Sequence, residues 1–304
     1  LAVTFIDASS GWITNRFWDF GDGNTTATSL SHTYIATGTN TVSLTVSGPG
    51  GTDTLNLFGY ITVSNALPPV ITAGLTVTSA LLQVGSVAVV VAGDTNVFSA
   101  EATDPDPLSY QWSFGDSVTN AWSPSSTAEH AYADCGSYDA GVTVSNEWAA
   151  TTSNFTVAVA CQLNIIKLQA KLNFARTNAD SCTVQGRFDL PAECSFSNKL
   201  ATLDIGGAKL SFALDSKGRG RNGLSTFSKP TYNKKTGRWT LKATLKNGSW
   251  QTAWAGYSMI NSNIPRPEVL VSELPVIFVL DTEAFVGTTN LHYTATQGKS
   301  GTAK

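Results

Sequence analysis

Few residues in this chain are of types and at spacings that could do chemistry. Its three histidines are His32, His130 and His292. The first two each stand two residues before a tyrosine, in His32-Thr33-Tyr34 and His130-Ala131-Tyr132, and His292 stands alone in Leu291-His292-Tyr293. No nucleophile elbow and no HExxH pair accompanies them, so no general base, nucleophile or catalytic metal can be assembled around an imidazole. The reading is not an enzyme. Asp104-Pro105-Asp106, with Asp116, is the candidate for a metal, because hard calcium takes six or more oxygens and two of these carboxylates stand close together before a strand. The alternative is a solvated Asx/Pro turn, and no other cofactor is indicated.

The remaining candidates are surfaces. The basic run Lys217-Gly218-Arg219-Gly220-Arg221, with Lys229, Lys234, Lys235 and Arg238, suits an anionic polysaccharide or an acidic protein face, with solvated loops as the alternative. The even number of cysteines reads as a secreted chain, and on that reading no nucleic-acid partner is expected. Trp12, Trp122 and Trp148 fall in predicted turns, where an exposed indole calls for a covering partner or a sugar face. Trp250 and Trp254, read as one strand with Thr252 between them, share a face that either stacks on sugar rings or packs into the core. Asn24, Asn154 and Asn247 each begin an Asn-X-Ser/Thr triplet that permits N-glycosylation.

The elements that must carry these residues are strands. Gly, Ser, Thr, Val and Asn abound, Met occurs once, and runs of helix formers are missing across 304 residues, enough for two or three domains. The longest apolar candidate, Leu81 to Ala92, is interrupted and too short to span a membrane as a helix, so no membrane insertion is expected. The chain begins at Leu1, which suggests a removed signal peptide or an incomplete start.

Charge divides along the length. The net −3 splits at Cys161 into 1 base against 13 acids before it and 18 bases against 9 acids from it onward, that is −12 and +9. Such a dipole can attract copies of itself end to end.

Cys135, Cys161, Cys182 and Cys194 lack the paired CxxC form of a zinc site and read as disulfides, with four reduced buried thiols as the alternative. A hairpin of Tyr138–Ser145 with Thr151–Ala160, turning at Trp148, pairs residues whose numbers sum to 296. Cys135 and Cys161 then face each other, which leaves Cys182 to pair with Cys194.

Two segments repeat one plan. The first holds Phe17-Trp18-Asp19-Phe20-Gly21-Asp22-Gly23, then His32-Thr33-Tyr34, Gly38, and the alternating run Thr41 to Val46. Trp18 and Phe20 face the core, Asp19 faces away, and Asp22-Gly23 ends the strand. The second holds Trp112-Ser113-Phe114-Gly115-Asp116, His130-Ala131-Tyr132 and Gly136-Ser137-Tyr138, then Val142 and Val144. The order resembles tandem polycystic-kidney-disease (PKD) repeats, immunoglobulin-like sandwiches known from bacterial extracellular and surface proteins. Ser113 and Ser117 depart from the family pattern in the second copy. The resemblance implies spacer or adhesion modules, with His32 and His130 in equivalent structural positions beside corner tyrosines. It also implies a strand ahead of Leu1-Ala2-Val3-Thr4-Phe5, so that the first domain presents an unfilled edge.

Three consecutive β-sandwich domains are therefore expected, an all-β chain with domains at 1–66, 67–161 and 162–304, the first two joined stiffly through Asn65-Ala66-Leu67-Pro68-Pro69. The third has strand-like runs at Leu163–Phe174, Thr183–Leu190, Trp239–Lys246 and Val276–Leu280 and a hairpin signal at Gly206-Gly207. It is similar in general pattern, through DIGG, LDSKGRG and the tail GKSGTAK, to sandwich domains near the C-terminus of large secreted bacterial proteins. The function expected is a non-catalytic structural subunit of a head-to-tail surface filament, extracellular or on the cell surface. Its contacts would be Leu1, Val3, Phe5, the three loop tryptophans, Arg219, Arg221, Lys234 and Lys235. The alternative is an adhesin or carbohydrate-binding accessory module.

Overall fold

The computed structural model describes residues 1–64 and 67–304. Asn65 and Ala66, the start of the expected stiff linker and the first domain boundary, lie outside the described residues. The chain is an all-β, multi-domain β-sandwich protein. Among the described residues its single α-helix is Gln251–Ala255. Contacts divide it into two compact units, the first comprising Leu1–Thr72, Ala102–Tyr110 and Val144–Thr151, the second the remainder.

In the first unit, the strands Thr25–Thr26, Asn15–Asp19, Gly38–Gly48 and Gly51–Val63 form a four-stranded sheet in that order. The strand Ala2–Thr4 pairs separately with Ser31–Thr33. Alternation sets the inner face. Trp18 lies opposite Leu44 in the antiparallel ladder, and Phe5, Trp18, Phe20, Tyr34 and Val42 form the buried cluster. Gly21 sits at φ +81°, where a Cβ would run into the Thr41 carbonyl, and Gly115 in the second repeat meets Asp139 in the same way. Those two turns require glycine both for conformation and for space.

The second unit joins most of the second repeat to the C-terminal sandwich. Phe98 lies at the centre of the repeat, with ring centroids 5.8 Å from Trp112, 5.2 Å from Phe114 and 6.0 Å from Phe155. The strand Val87–Val91 lies parallel to Ala150–Gln162, pairing Val87 with Thr156 through Val91 with Ala160. Val87, Ala88, Val89 and Val90 are all buried, the signature of a strand covered on both faces. Val87, Val89, Ala158 and Ala160 pack against Ile277, Val279 and Ala284 of the C-terminal sandwich. The same strand Ala150–Gln162 continues into that sandwich, with Cys161 opposite Phe285 and the Leu163 amide donating to Val286 O at 2.7 Å. One continuous strand and one shared apolar cluster explain why these parts form a single compact unit.

In the C-terminal sandwich the strands Asn164–Asn173, Asp180–Phe188 and Arg238–Gly248 run antiparallel in sequence, and the long hairpin Ile264–Leu280 with Glu283–Thr296 packs its apolar residues against them. The hairpin Leu200–Ile205 with Ala208–Ala213 turns through Gly206 and Gly207, at φ +55° and +90°, which a type I′ turn demands.

Two sequence expectations are corrected. Cys182 and Cys194 do not form a disulfide. Cys182 is buried in the strand Asp180–Phe188, opposite Ala170 and Leu245, and burial pushes its thiol up to about 12. Cys194 lies in the following loop with its side chain on the Ser195 carbonyl at 3.8 Å. The segment Trp250–Trp254 is also not a strand. Trp250 caps the short helix, Trp254 is fully buried with its Nε1–H donating to Ile205 O at 2.7 Å, and the two rings stand 5.3 Å apart. Trp254 is a core residue and presents no ring to a sugar.

Candidate functional site

Both repeats build one aromatic corner. In the first, Tyr34 OH donates to Phe20 O at 3.1 Å, the His32 ring stacks on Phe20 at 4.2 Å and meets Tyr34 edge-on at 4.6 Å, and His32 Nε2 lies 2.8 Å from Asp22 Oδ2. The second reproduces this with Tyr132 OH to Phe114 O at 3.0 Å, His130 on Phe114 at 4.1 Å, and His130 Nε2 to Asp116 Oδ2 at 2.7 Å. Burial pushes both tyrosine phenols up, so each stays a neutral donor tying the loop to the strand. The histidines are thus spent on structure.

The corner predicts an acid response. Burial pushes the Asp22 carboxyl up, but hydrogen bonds from His32 and Asn24 outweigh it and hold the group below its ordinary value. A lowered carboxylate contributes stability that is present above the unfolded value of about 3.9 and is lost as pH falls through the folded one. Asp22→Asn should therefore flatten the acid limb of a thermal-midpoint-versus-pH curve below about pH 4; identical limbs for the two proteins would contradict this role.

The calcium set expected at Asp104, Asp106 and Asp116 is not assembled. Asp116 is taken by His130, and Asp104 Oδ1 accepts the Asp106 amide at 2.9 Å in an Asx turn. Among the described residues no group of three or more His, Cys, Asp or Glu could hold a metal ion. Cys135 and Cys161 are bonded, with Cα atoms 5.0 Å apart. Near the turn the hairpin register is one residue away from that expected, since the Thr143 and Thr152 hydroxyls bond across it. Asn24, Asn154 and Asn247 are all exposed.

Two surfaces stand out, one in each unit. The first is a groove of about 1020 Å³ in the first repeat, with Val3, Phe5, Trp18 and Val42 on its apolar side and Ser9, Ser10 and Asp53 among its polar lining. Its origin is visible by comparison with the second repeat. Val3 faces His32 as Asn96 faces His130, so Ala2–Thr4 is the counterpart of Asn96–Ser99. The Thr45–Thr54 hydroxyl pair matches Thr143–Thr152, so Gly51–Val63 is the counterpart of Ala150–Gln162. In the second repeat Thr156–Ala160 carries the parallel strand Val87–Val91. The matching stretch of the first repeat carries no such strand among the described residues; its ladder to Gly38–Gly48 shifts register between Asn40 and Val42, so residues 58–60 bulge there, with Phe58 84% and Tyr60 57% exposed. Of the expected contacts, Val3 and Phe5 line this groove and Leu1 is exposed. Trp12 is exposed, Trp122 and Trp148 partly so.

The second is a groove of about 940 Å³ lined by Arg219, Arg221, Lys229, Tyr232 and Trp239 among others. Arg219, Arg221, Lys234 and Lys235 are all exposed. Sequence reading missed Tyr232 and Trp239, which the ladder sets opposite each other with ring centroids 5.2 Å apart. The only signal for them was the alternation of the two strands that flank Lys234-Lys235.

Among solved structures, the chain is similar to a titin I-band fragment, I67–I69, at 12% identity over 91% of this chain and 87% of that one, with a TM-score of 0.34. It is also similar to a structure described as a carbohydrate-binding module of the β-sandwich superfamily, at 12% identity over 74% of this chain and all of that one, with a TM-score of 0.28. Likeness at these scores carries nothing about function. No curated protein matches the chain. Residues 1–63 and 80–159 both match the PKD domain family, and they hold the two copies of the Phe–His–Tyr–Asp corner and the two hairpins that follow it. Residues 1–63 and 80–159 are a tandem pair of PKD domains.

Proposed function

We propose that the protein is a non-catalytic extracellular structural subunit whose copies associate head to tail. The observation that carries this reading is the division of charge, −12 before Cys161 and +9 from it onward; the groove of the first PKD domain, beside the strand Gly51–Val63, offers the contact its apolar part. A neighbouring copy occupies this groove and sets apolar residues against Phe5, Trp18 and Val42. A contact of this heterologous kind does not close on itself and builds filaments.

Charge gives the association its direction. The acidic first half meets the basic end of the next copy at Arg219, Arg221, Lys234 and Lys235, and complementary fields of this sort raise on-rate and fix orientation. An oxidising compartment fits the Cys135–Cys161 disulfide. Light scattering of the full chain across a salt series tests the reading. Association should weaken as ionic strength rises from 0.1 M to 1 M and the Debye length shrinks from about 10 Å to about 3 Å. Reversing the four basic residues should remove that salt sensitivity, and salt-sensitive assembly by the reversed protein would overturn the electrostatic part.

A further inference from the structure

The basic charge of the C-terminal sandwich is concentrated. From Ser216 to Pro267 the sequence contains no acid and ten bases, eight of them between Lys217 and Lys242. The groove lined by Arg219, Arg221, Lys229, Tyr232 and Trp239 lies within this stretch. Among the described residues, none of Arg219, Arg221 and Lys229 forms an ion pair. The nearest acid in sequence, Asp215, is consumed by its own turn, accepting the Lys217 and Arg219 amides at 2.8 and 2.9 Å.

The backbone opens the groove. The strand Ser225–Asn233 pairs with Gly220–Asn222 only as far as Phe227, so its second half has a free edge on that side among the described residues. Its ladder to Arg238–Gly248 breaks between Ser228 and Thr231, where Lys229 and Pro230 form a bulge. Pro230 has no N–H, which blunts this edge against strand addition. Beyond the bulge Tyr232 is half-buried against Trp239, whose Nε1–H is fixed on Pro191 O at 3.1 Å. The result is a channel with aromatic and apolar walls and unpaired cations, on an edge built not to take a strand.

We infer that this groove binds an anionic polysaccharide, a sugar chain bearing carboxylate or sulfate groups. Guanidinium forks take such groups in pairs of parallel hydrogen bonds, and the half-open ring of Tyr232 suits the apolar face of one pyranose. Single-stranded nucleic acid is the poorer fit. It binds by stacking successive bases, and among the rings that line the groove Tyr232 alone is half open, Trp239 and Phe227 being buried. The groove shares Arg219 and Arg221 with the contact proposed between copies, so polysaccharide and neighbouring copy compete there, and the test is made where the chain is dispersed.

The test uses the full chain at a concentration where it is dispersed, titrated calorimetrically at 150 mM salt with heparin, polyuronate, neutral dextran and single-stranded DNA. Binding is expected to heparin or polyuronate and not to dextran. Arg221→Gln with Lys229→Gln should weaken it at least tenfold. Lys234→Gln with Lys235→Gln, which removes the same charge from the hairpin tip, should change it less than about threefold. Tyr232→Ala should weaken it several-fold without altering the salt slope. Absence of binding to both polyanions, equal losses in the two double variants, or DNA binding as tight as either polysaccharide would each overturn the assignment. Unchanged circular dichroism of the variants separates loss of binding from loss of fold.

Discussion

Trp254→Ala is expected to destabilise the second unit by about 4 kcal/mol, the range measured for deleting a large aromatic ring from a packed core. Trp254 is fully buried among the residues of the C-terminal core and donates to Ile205 O from inside it. Truncation therefore leaves a cavity and removes the indole's bond to the Ile205 carbonyl. Trp254→Phe refills most of the volume and loses the hydrogen bond, so it should cost less than half as much. Urea unfolding followed by circular dichroism checks both, and a Trp254→Ala protein that melts like the parent would mean the ring is not part of the core. No effect on polysaccharide binding is expected from Trp254→Phe, because the groove at Tyr232 does not include it.

The Cys135–Cys161 bond should have the next largest effect. It closes a loop with a sequence separation of 26. Loop-closure entropy at that length gives about 3.5 kcal/mol, so replacing both cysteines by serine should lower stability by that order. The bond also fixes the strand that runs on into the C-terminal sandwich, where Cys161 pairs opposite Phe285. Cys194→Ser should leave the melting curve unchanged. Thiol titration of the denatured, unreduced protein should find two free thiols, and four after reduction; four before reduction would show that the bond does not form.

What could be read from the sequence follows a physical division. The two PKD domains were legible because their signals are local, with ring–acid–ring alternation at Trp18-Asp19-Phe20, a glycine that only one turn geometry explains, and a tyrosine at fixed distance from the next strand. Trp250 to Trp254 misled because five residues cannot distinguish a helical period from a strand period, and both settings bring residues four apart to one face. Cys182 was assigned by elimination, although its place in an alternating strand already pointed it inward beside Val184.

The two grooves were less accessible for different reasons. The groove of the first domain depends on which strands flank Gly51–Val63, and the second domain shows by contrast how Val87–Val91 seats beside Ala150–Gln162. That run also contributed to the longest apolar stretch considered for a membrane. Its continuous hydrophobicity is explained by burial on both sides, a tertiary fact. The Tyr232–Trp239 pair depends on ladder register, and a bulge at Lys229-Pro230 shifts that register by an amount sequence alone does not specify.

The most direct measurement of the central claim is electron microscopy, with sedimentation, of the full chain at low and high salt beside Leu57→Lys with Ile61→Lys. Both substituted residues are partly buried and line the groove of the first domain, and lysine there sets charge against the apolar residues of a neighbouring copy. Regular filaments of the parent at low salt, shortening at high salt, with dispersed particles and an unchanged circular dichroism spectrum for the variant, are the predicted result. Dispersed parent particles under every condition, or filaments of equal length from the variant, would contradict assembly through this groove.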